Sequence, residues 1–269
     1  MFWPWFEPLE TIRTLKRLGA RCGQLGLPGE YDLSAASALA WRAACESEDF
    51  PIATVFAAYQ GESYADIAMV ERTVGFIPQD TRQARVERTL RLSDFAHILG
   101  APAIACHVGF VPEDPSAADY IAVRDAVRQV CDHAGGNGQT FALETGQEPA
   151  PVLRQFIESV ARPNLRINFD PANLILYGTG DPIAALDVLA PWIASVHAKD
   201  GDWPGEPGHL GQERRLGEGM VGMALFVRKL REIGYSGGLF VEREVDMLVD
   251  RLADMRHGLA LLTTLAGVQ

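Results

Sequence analysis

Short apolar runs alternate along the chain with longer stretches in which apolar residues recur at helical spacing. Seven of the runs have the length and composition of buried strands, and helical patterns separate most of them. This alternation predicts parallel β-α units, because parallel strands are buried on both faces and are joined by helical crossovers. The predicted strands are 22–27, 51–59, 101–109, 140–145, 165–170, 192–198 and 237–244.

The predicted helices fit the same arrangement. One helix is expected over 8–18, a second ends at Leu99 before Gly100, and a third spans 118–134 ahead of the turn GGNG. We predict an α/β fold of the (β/α)8 TIM barrel type, forming a single domain over residues 1–269. A doubly wound open sheet is the second choice.

The first strand is the weak point of a barrel prediction. Only the segment MFWPWF precedes the first predicted helix, and it contains Pro4. Proline lacks the N–H group that the interior of a strand needs. We therefore expect strand 1 to be short, degenerate or missing.

Composition and charge narrow the classes of function. The 269 residues are 48% hydrophobic, enough for a sizeable core, and the net charge is -11. A field of that sign repels phosphate backbones and anionic lipids, so we expect neither nucleic acid nor membrane as a partner. No apolar run reaches membrane-spanning length, and the N-terminus lacks the pattern of a signal peptide. The cysteines form no C-x-x-C pair, which indicates reduced thiols in a cytoplasmic protein.

Polar side chains follow five consecutive predicted strands at their carboxyl ends. In a barrel these ends converge on one face, where active sites lie. Taken alone, each residue is explained as part of a turn, a helix cap or a buried histidine. The recurrence of polar residues at the same end of five strands favours an active site. Carboxylates with one imidazole and no cysteine suit Mn²⁺, Mg²⁺ or Co²⁺ better than a structural zinc ion. The residues are His107, Glu144, Asp170 with Asn173, His197 with Lys199 and Asp200, and Glu242 with Arg243 and Glu244.

Six motifs in this order resemble the xylose isomerase-like TIM barrels, a superfamily of sugar and sugar-phosphate isomerases and epimerases. The resemblance covers nearly the whole chain, from about Leu9 to the C-terminus. As a set the motifs are specific for the superfamily, but they do not identify the substrate. They are HVGFVP (107–112), LETGQE (143–148), NFDPANLILYG (168–178), SVHAKD (195–200), RLGEGMV (215–221) and VERE (241–244).

The resemblance implies a metal-dependent enzyme of carbohydrate metabolism. In the ketose 3-epimerases of the superfamily, four strand-end ligands hold one divalent ion, and by motif they fall on Glu144, Asp170, His197 and Glu242. The two glutamates there also act as the catalytic acid/base pair. Mn²⁺ is the expected ion, with Mg²⁺, Co²⁺ or Zn²⁺ as alternatives. The implied reaction is isomerisation or epimerisation of a ketose or keto-sugar, phosphorylated or not, through an enediolate that the metal stabilises.

Further residues are predicted to bind the sugar. Asn173 stands where many relatives carry a histidine, and an amide there orients a hydroxyl but cannot shuttle a proton. The long loop 200–214 leaves open which of two arginines resembles the substrate-binding arginine of the family, and Trp203 in this loop is a candidate lid. The predicted substrate-binding residues are His107, Glu148, Asn173, Lys199, Asp200, Arg214 and Arg215.

Other functions stay open from the sequence. The same chemistry serves a lyase, dehydratase or hydratase acting on a keto-sugar or a 3-keto-glycoside. A non-catalytic barrel subunit is a second alternative, because the doubtful first strand leaves room for dependence on a partner. A DNA-repair endonuclease of the superfamily needs several more histidines, including one at the position of Asn173, and the charge opposes it. Homo-oligomers are common in the family, so the oligomeric state is open.

Overall fold

The computed structural model describes residues 1–206 and 208–267. Each of the seven predicted strands is present, and a further pair of short strands follows the sixth. The strands are β1 (Gly23–Leu27), β2 (Ile52–Ala57), β3 (Ala103–Cys106), β4 (Thr140–Glu144), β5 (Leu165–Phe169), β6 (Ile193–Ala198), β7 (Asp200–Asp202), β8 (Gln212–Arg214) and β9 (Leu239–Val241).

The order of strands in the main sheet is the order along the chain. β1, β2, β3, β4, β5, β6 and β9 follow one another as neighbours. β1 pairs with β2, β2 with β3, β3 with β4, β5 with β6 and β6 with β9, all in parallel. Doubly wound sheets reverse direction at a switch point, so their order does not follow the chain. The sequential order excludes the second choice and fits the barrel prediction.

Helices cover most of the connections between these strands. The first and fourth helices end where a glycine adopts a left-handed conformation, with φ of 101° at Gly19 and 93° at Gly100. A short 3₁₀ turn, Ala190–Trp192, leads into β6. Among the described residues, no helix has the length and apolar character needed to cross a membrane. The helices are α1 (Pro8–Leu18), α2 (Ala35–Glu48), α3 (Ile67–Thr73), α4 (Arg82–Leu99), α5 (Ala118–Gly136), α6 (Ala150–Val160), α7 (Pro171–Leu176), α8 (Pro182–Leu189), α9 (Met223–Glu232) and α10 (Leu248–Ala266).

Two predicted connections differ from the structure. Helix α5 continues through Gly136, so the predicted GGNG turn is confined to Asn137 and Gly138. Gly138 has a φ of 73°. The predicted loop 200–214 contains a hairpin, because β7 pairs antiparallel with β8. Both errors arise because glycines and short polar runs are read as loops although backbone hydrogen bonds continue through them.

The N-terminal segment contributes one residue to the sheet. Phe2 forms an isolated parallel bridge with Leu25. Its N–H donates to the Gln24 carbonyl at 3.0 Å, and the Gly26 N–H donates to the Phe2 carbonyl at 2.8 Å. Pro4 follows and cannot continue the ladder. Strand 1 is thus reduced to a single bridge, in agreement with the expected degenerate strand.

The described residues form two compact units, each with buried aromatic side chains of its own. In the first, Trp41 and Phe141 have no exposed surface. In the second, the rings of Phe169 and Phe226 stack with centroids 5.9 Å apart. A single domain over 1–269 stays a prediction. The first unit comprises Met1–Glu144 and Phe156–Arg166, and the second Thr145–Gln155 and the chain from Ile167 onward.

The Phe2→Ala variant should be strongly destabilised. The Phe2 side chain is 1% exposed and packs against the rings of Trp41 and Phe50, at centroid distances of 6.1 and 6.4 Å. Removing a buried phenyl ring costs about 3 to 5 kcal/mol of unfolding free energy, measurable by urea denaturation. Phe6→Ala is the matched control, because Phe6 is 46% exposed and should change stability little. Equal stability of the two variants would contradict the packing role of Phe2.

Candidate metal centre

Asp170 is positioned by its role as a helix cap. It lies directly after β5, and its Oδ1 accepts the Asn173 N–H at 2.9 Å at the start of α7. Pro171 occupies the first helical position, where its missing N–H costs nothing. Thr145 fixes the backbone, since its Oγ1 accepts the Asp170 N–H at 2.7 Å and donates to the Asp170 carbonyl at 3.0 Å. The second carboxylate oxygen, Oδ2, is thereby directed away from the cap.

This second oxygen lies beside His197, whose ring also meets Glu242. His197 Nδ1 is 3.3 Å from Asp170 Oδ2 and 3.2 Å from Glu242 Oε2. Asp170 and His197 have no exposed surface, and Glu242 is 9% exposed. His197 lies within β6, and Glu242 directly follows its neighbour β9. One ring nitrogen therefore faces two buried carboxylate oxygens from adjacent strand ends.

The spacing fits a common metal ion. Two ligands bound at about 2.1 Å, at angles between 90° and tetrahedral, lie about 3.0 to 3.4 Å apart. The measured 3.2 and 3.3 Å fall in this range. One ligand atom from each of Asp170, His197 and Glu242 lies within 4.8 Å of the other two. A cluster of Glu, Asp and His side chains is thus present that can bind a metal ion.

The cluster is embedded in opposing charges. Burial raises the pKa of Asp170, against the lowering effect of the Lys199 ammonium. Burial acts in the same direction on Glu242, but the His197 ring and Lys199 outweigh it and hold the pKa of Glu242 well below its ordinary value. Burial alone would lower the pKa of Lys199, but the surrounding carboxylates, led by Glu242 and Glu244, raise it well above its ordinary value. Lys199 and Glu242 therefore face each other as a charged pair.

Lys199 and Asp200, both predicted to bind substrate, make well-defined contacts within the protein. Lys199 Nζ lies 3.1 Å from Glu242 Oε2 and 2.6 Å from Glu244 Oε2. The Asp200 carboxylate accepts three backbone N–H groups, from Gly201 at 3.0 Å, Gly217 at 2.9 Å and Val221 at 3.1 Å. These bonds fix the course of the loop 215–221. Contact of either residue with substrate stays a prediction.

His107 lies next to the first glutamate of the predicted ligand set. Its Nε2 is 3.1 Å from Glu144 Oε2, and its ring is 5.8 Å from that of Tyr64. His107 keeps 19% of its side chain exposed, whereas Glu144 is 4% exposed. A solvent-accessible imidazole that reaches a buried carboxylate is able to contact a substrate bound there.

The two candidate arginines are both held in ion pairs. Arg214 Nε contacts Asp202 Oδ2 at 2.6 Å, across the β7–β8 hairpin. Arg215 Nε lies 3.2 Å from Asp254 Oδ1 on α10, and its Nη1 lies 3.6 Å from Glu218. None of these partners belongs to the predicted metal ligands. A substrate contact by either arginine stays a prediction that requires its ion pair to open.

The remaining predicted residues differ in exposure. Glu148 and Asn173 are 3% and 4% exposed, and Asn173 Nδ2 donates to the Thr145 carbonyl at 3.3 Å. Trp203 lies in the hairpin connection and is 38% exposed, so its role as a lid stays a prediction. Sequence reasoning missed Thr145, which holds the Asp170 backbone. Its one signal was its place directly after the strand that ends in Glu144.

Family comparison decides the class of protein. Residues 12–265 match the model of the xylose isomerase-like TIM barrels. The chain belongs to this family. The match confirms the resemblance found in the motifs and the predicted (β/α)8 TIM barrel class. A search of curated proteins finds no match for the sequence.

Several solved structures share the fold of this chain. A xylose isomerase domain protein from Planctomyces limnophilus is 43% identical, with a TM-score of 0.92 over 94% of this chain and 91% of that chain. The 3-keto-D-glucoside 4-epimerase from E. coli is 17% identical, with a TM-score of 0.72 over 98% and 96%. A Mycobacterium smegmatis barrel in complex with magnesium is 18% identical, with a TM-score of 0.69 over 96% and 88%. At these lower identities the likeness shows the fold alone.

The Asp200→Asn variant should lose order in the loop 215–221 of this family member. An amide keeps one acceptor oxygen but presents an NH₂ group to a backbone N–H. We expect about 1 to 3 kcal/mol lower stability and faster proteolysis within the loop, read by mass spectrometry of the fragments. Asp202→Asn is the control, because its partly exposed pair with Arg214 contributes about 0 to 1 kcal/mol. Indistinguishable proteolysis of the two variants would show that Asp200 does not hold the loop.

Proposed function

We propose that this chain is a divalent-metal-dependent sugar isomerase or epimerase that acts on a ketose or keto-sugar. The observation that carries the proposal is the buried cluster of Asp170, His197 and Glu242, with ligand separations of 3.2 and 3.3 Å. In this proposal Glu144, the remaining ligand implied by the motifs, would add a second glutamate. The 3-keto-D-glucoside 4-epimerase from E. coli shares the fold of this chain, which supports an enzyme acting on a small sugar.

The donor set fits a hard divalent ion. Three carboxylates and one imidazole suit Mn²⁺, Mg²⁺ or Co²⁺, and the magnesium complex of the Mycobacterium smegmatis barrel supports an ion of this type. Glu144, Asp170, His197 and Glu242 would hold the ion. When bound, it supplies a Lewis acid that polarises the substrate carbonyl and offsets charge on its oxygen.

The two glutamates carry the proton transfer in this proposal. A carboxylate oxygen takes the proton from a carbon next to the carbonyl, the C–H bond breaks, and its electron pair moves towards the carbonyl oxygen. A proton delivered to the opposite face by the other glutamate, which enters the step protonated, inverts the carbon and gives an epimer, and the first glutamate keeps the proton it took. Return of the abstracted proton by the same glutamate to the neighbouring carbon, with transfer of the hydroxyl proton to the former carbonyl oxygen, gives an isomer. His107, 3.1 Å from Glu144, is placed to orient this carboxylate or a substrate hydroxyl.

Metal-dependent exchange of carbon-bound protons tests the reaction. The purified protein is incubated with Mn²⁺ and a panel of ketoses, keto-sugars and their phosphates in D₂O, and NMR follows the label. We expect deuterium at a carbon next to a carbonyl, and a chelator should abolish it. An epimer or isomer as product supports the proposal, and loss of water or of a glycosidic group indicates a lyase instead. Absence of both exchange and bound metal would favour a non-catalytic barrel.

Substitution of the proposed ligands and bases tests the residues. Glu144→Gln should reduce exchange by about 10² to 10⁴-fold, because an amide cannot accept the proton. His197→Ala should lower the metal content measured by mass spectrometry after gel filtration. Glu232→Gln and His97→Ala are the matched controls, since both side chains are exposed at the surface. Unchanged metal content in His197→Ala, or unchanged exchange in Glu144→Gln, would reject the assignment.

A further inference from the structure

Lys199 contacts one particular oxygen of Glu242. Its ammonium is 3.1 Å from Oε2, the same oxygen that lies 3.2 Å from His197 Nδ1. Neither of these contacts involves the second oxygen, Oε1. The two oxygens of this carboxylate therefore differ, because one is shared by two nitrogen groups and the other takes no part in these contacts.

The position of the Lys199 ammonium is itself well defined. Nζ also binds Glu244 Oε2 at 2.6 Å, and the Glu244 N–H donates to Glu213 at 3.1 Å. Glu213 in turn lies 3.2 Å from Arg243, which binds Asp254 of α10 at 2.8 Å. These ion pairs, together with the backbone hydrogen bond of Glu244, link β8, α10 and the segment after β9. Lys199 is 3% exposed, so water does not compete strongly for its bonds.

A glutamate that serves as both ligand and base must divide these tasks between its oxygens. The terminal torsion of a glutamate is soft, so an unrestrained carboxylate rotates readily. Rotation would bring the second oxygen into the ligand sphere and leave no oxygen for the proton. A bond that retains Oε2 beside His197 prevents this rotation and keeps Oε1 available.

We propose that Lys199 is a positioning residue that fixes Glu242 Oε2 as the metal-facing oxygen and leaves Oε1 to carry the proton. This role rests on the proposed function and differs from the substrate contact predicted from the motif. It makes Lys199 necessary for the step performed by Glu242 and dispensable for the step performed by Glu144.

The test separates the two half-reactions. The Lys199→Met holoenzyme, loaded with Mn²⁺, is given each sugar of the pair that the wild type interconverts, in D₂O. The sugar deprotonated by Glu242 should lose exchange about 100-fold, whereas the other should keep exchange within about threefold without being converted. Glu242→Gln identifies which sugar depends on Glu242, and Lys199→Met should affect the same one.

A second measurement does not depend on turnover. Rotation of Glu242 in Lys199→Met would replace water on bound Mn²⁺ by a second carboxylate oxygen. Water proton relaxation by the bound ion should therefore fall relative to the wild type at equal metal content. Unchanged relaxation would overturn the proposal.

Exchange results of three kinds would also overturn it. These are an equal loss for both sugars at full metal content, exchange like that of the wild type, and loss for the sugar that depends on Glu144. If Lys199→Met does not fold, the Glu244→Ala variant replaces it in the test. Glu244 is 56% exposed, and its removal takes away one of the two carboxylates that hold the Lys199 ammonium in place. In Glu244→Ala we expect exchange to fall about tenfold more for the sugar that depends on Glu242 than for the other sugar. An equal loss for both sugars would reject the proposal. Absence of exchange in the wild type would instead refute the proposed function.

Discussion

The charge balance between Glu242, His197 and Lys199 is the interaction on which the rest of the site depends. Burying an ionised group costs much free energy unless a partner of opposite charge and hydrogen bonds offset the lost hydration. Asp170 and Glu242 are both buried, and Lys199 is the buried cation that faces them. A lysine in direct contact with a predicted metal ligand therefore allows the acidic cluster to be part of a folded protein before any ion binds.

Backbone contacts then determine where each charged group lies. Thr145 bonds both the N–H and the carbonyl of Asp170, and the helix cap directs one oxygen of that carboxylate away from the cluster. The Asp200 carboxylate accepts three backbone N–H groups, one from β7 and two from the loop 215–221. At Gly219 a Cβ atom would lie 2.4 Å from Asp200 Oδ1, so only glycine fits. The geometry of the ligands is thus supported by neighbours that take no part in the proposed chemistry.

The sequence was sufficient to locate the strands and the residues at their ends. Apolar runs identify buried strands, and in parallel strands a polar residue just after each run lies at the same edge. This reasoning found Asp170, His197 and Glu242, which the structure brings together. It could not find the hairpin of β7 and β8, because strands of three residues are too short to show a periodic pattern. It also could not find Phe2 as a strand remnant, because a single bridge leaves no pattern at all.

Side-chain partners are the second thing that sequence alone does not determine. Lys199 and Arg214 are both predicted to bind substrate, but in the structure each is held by carboxylates of the protein. A chain with net charge -11 places many acids near one another, so its cations are drawn into internal pairs. A basic residue near an acidic site is therefore weak evidence for substrate contact. The two side chains differ in exposure, since Lys199 is buried against Glu242 whereas Arg214 keeps 42% of its side chain exposed.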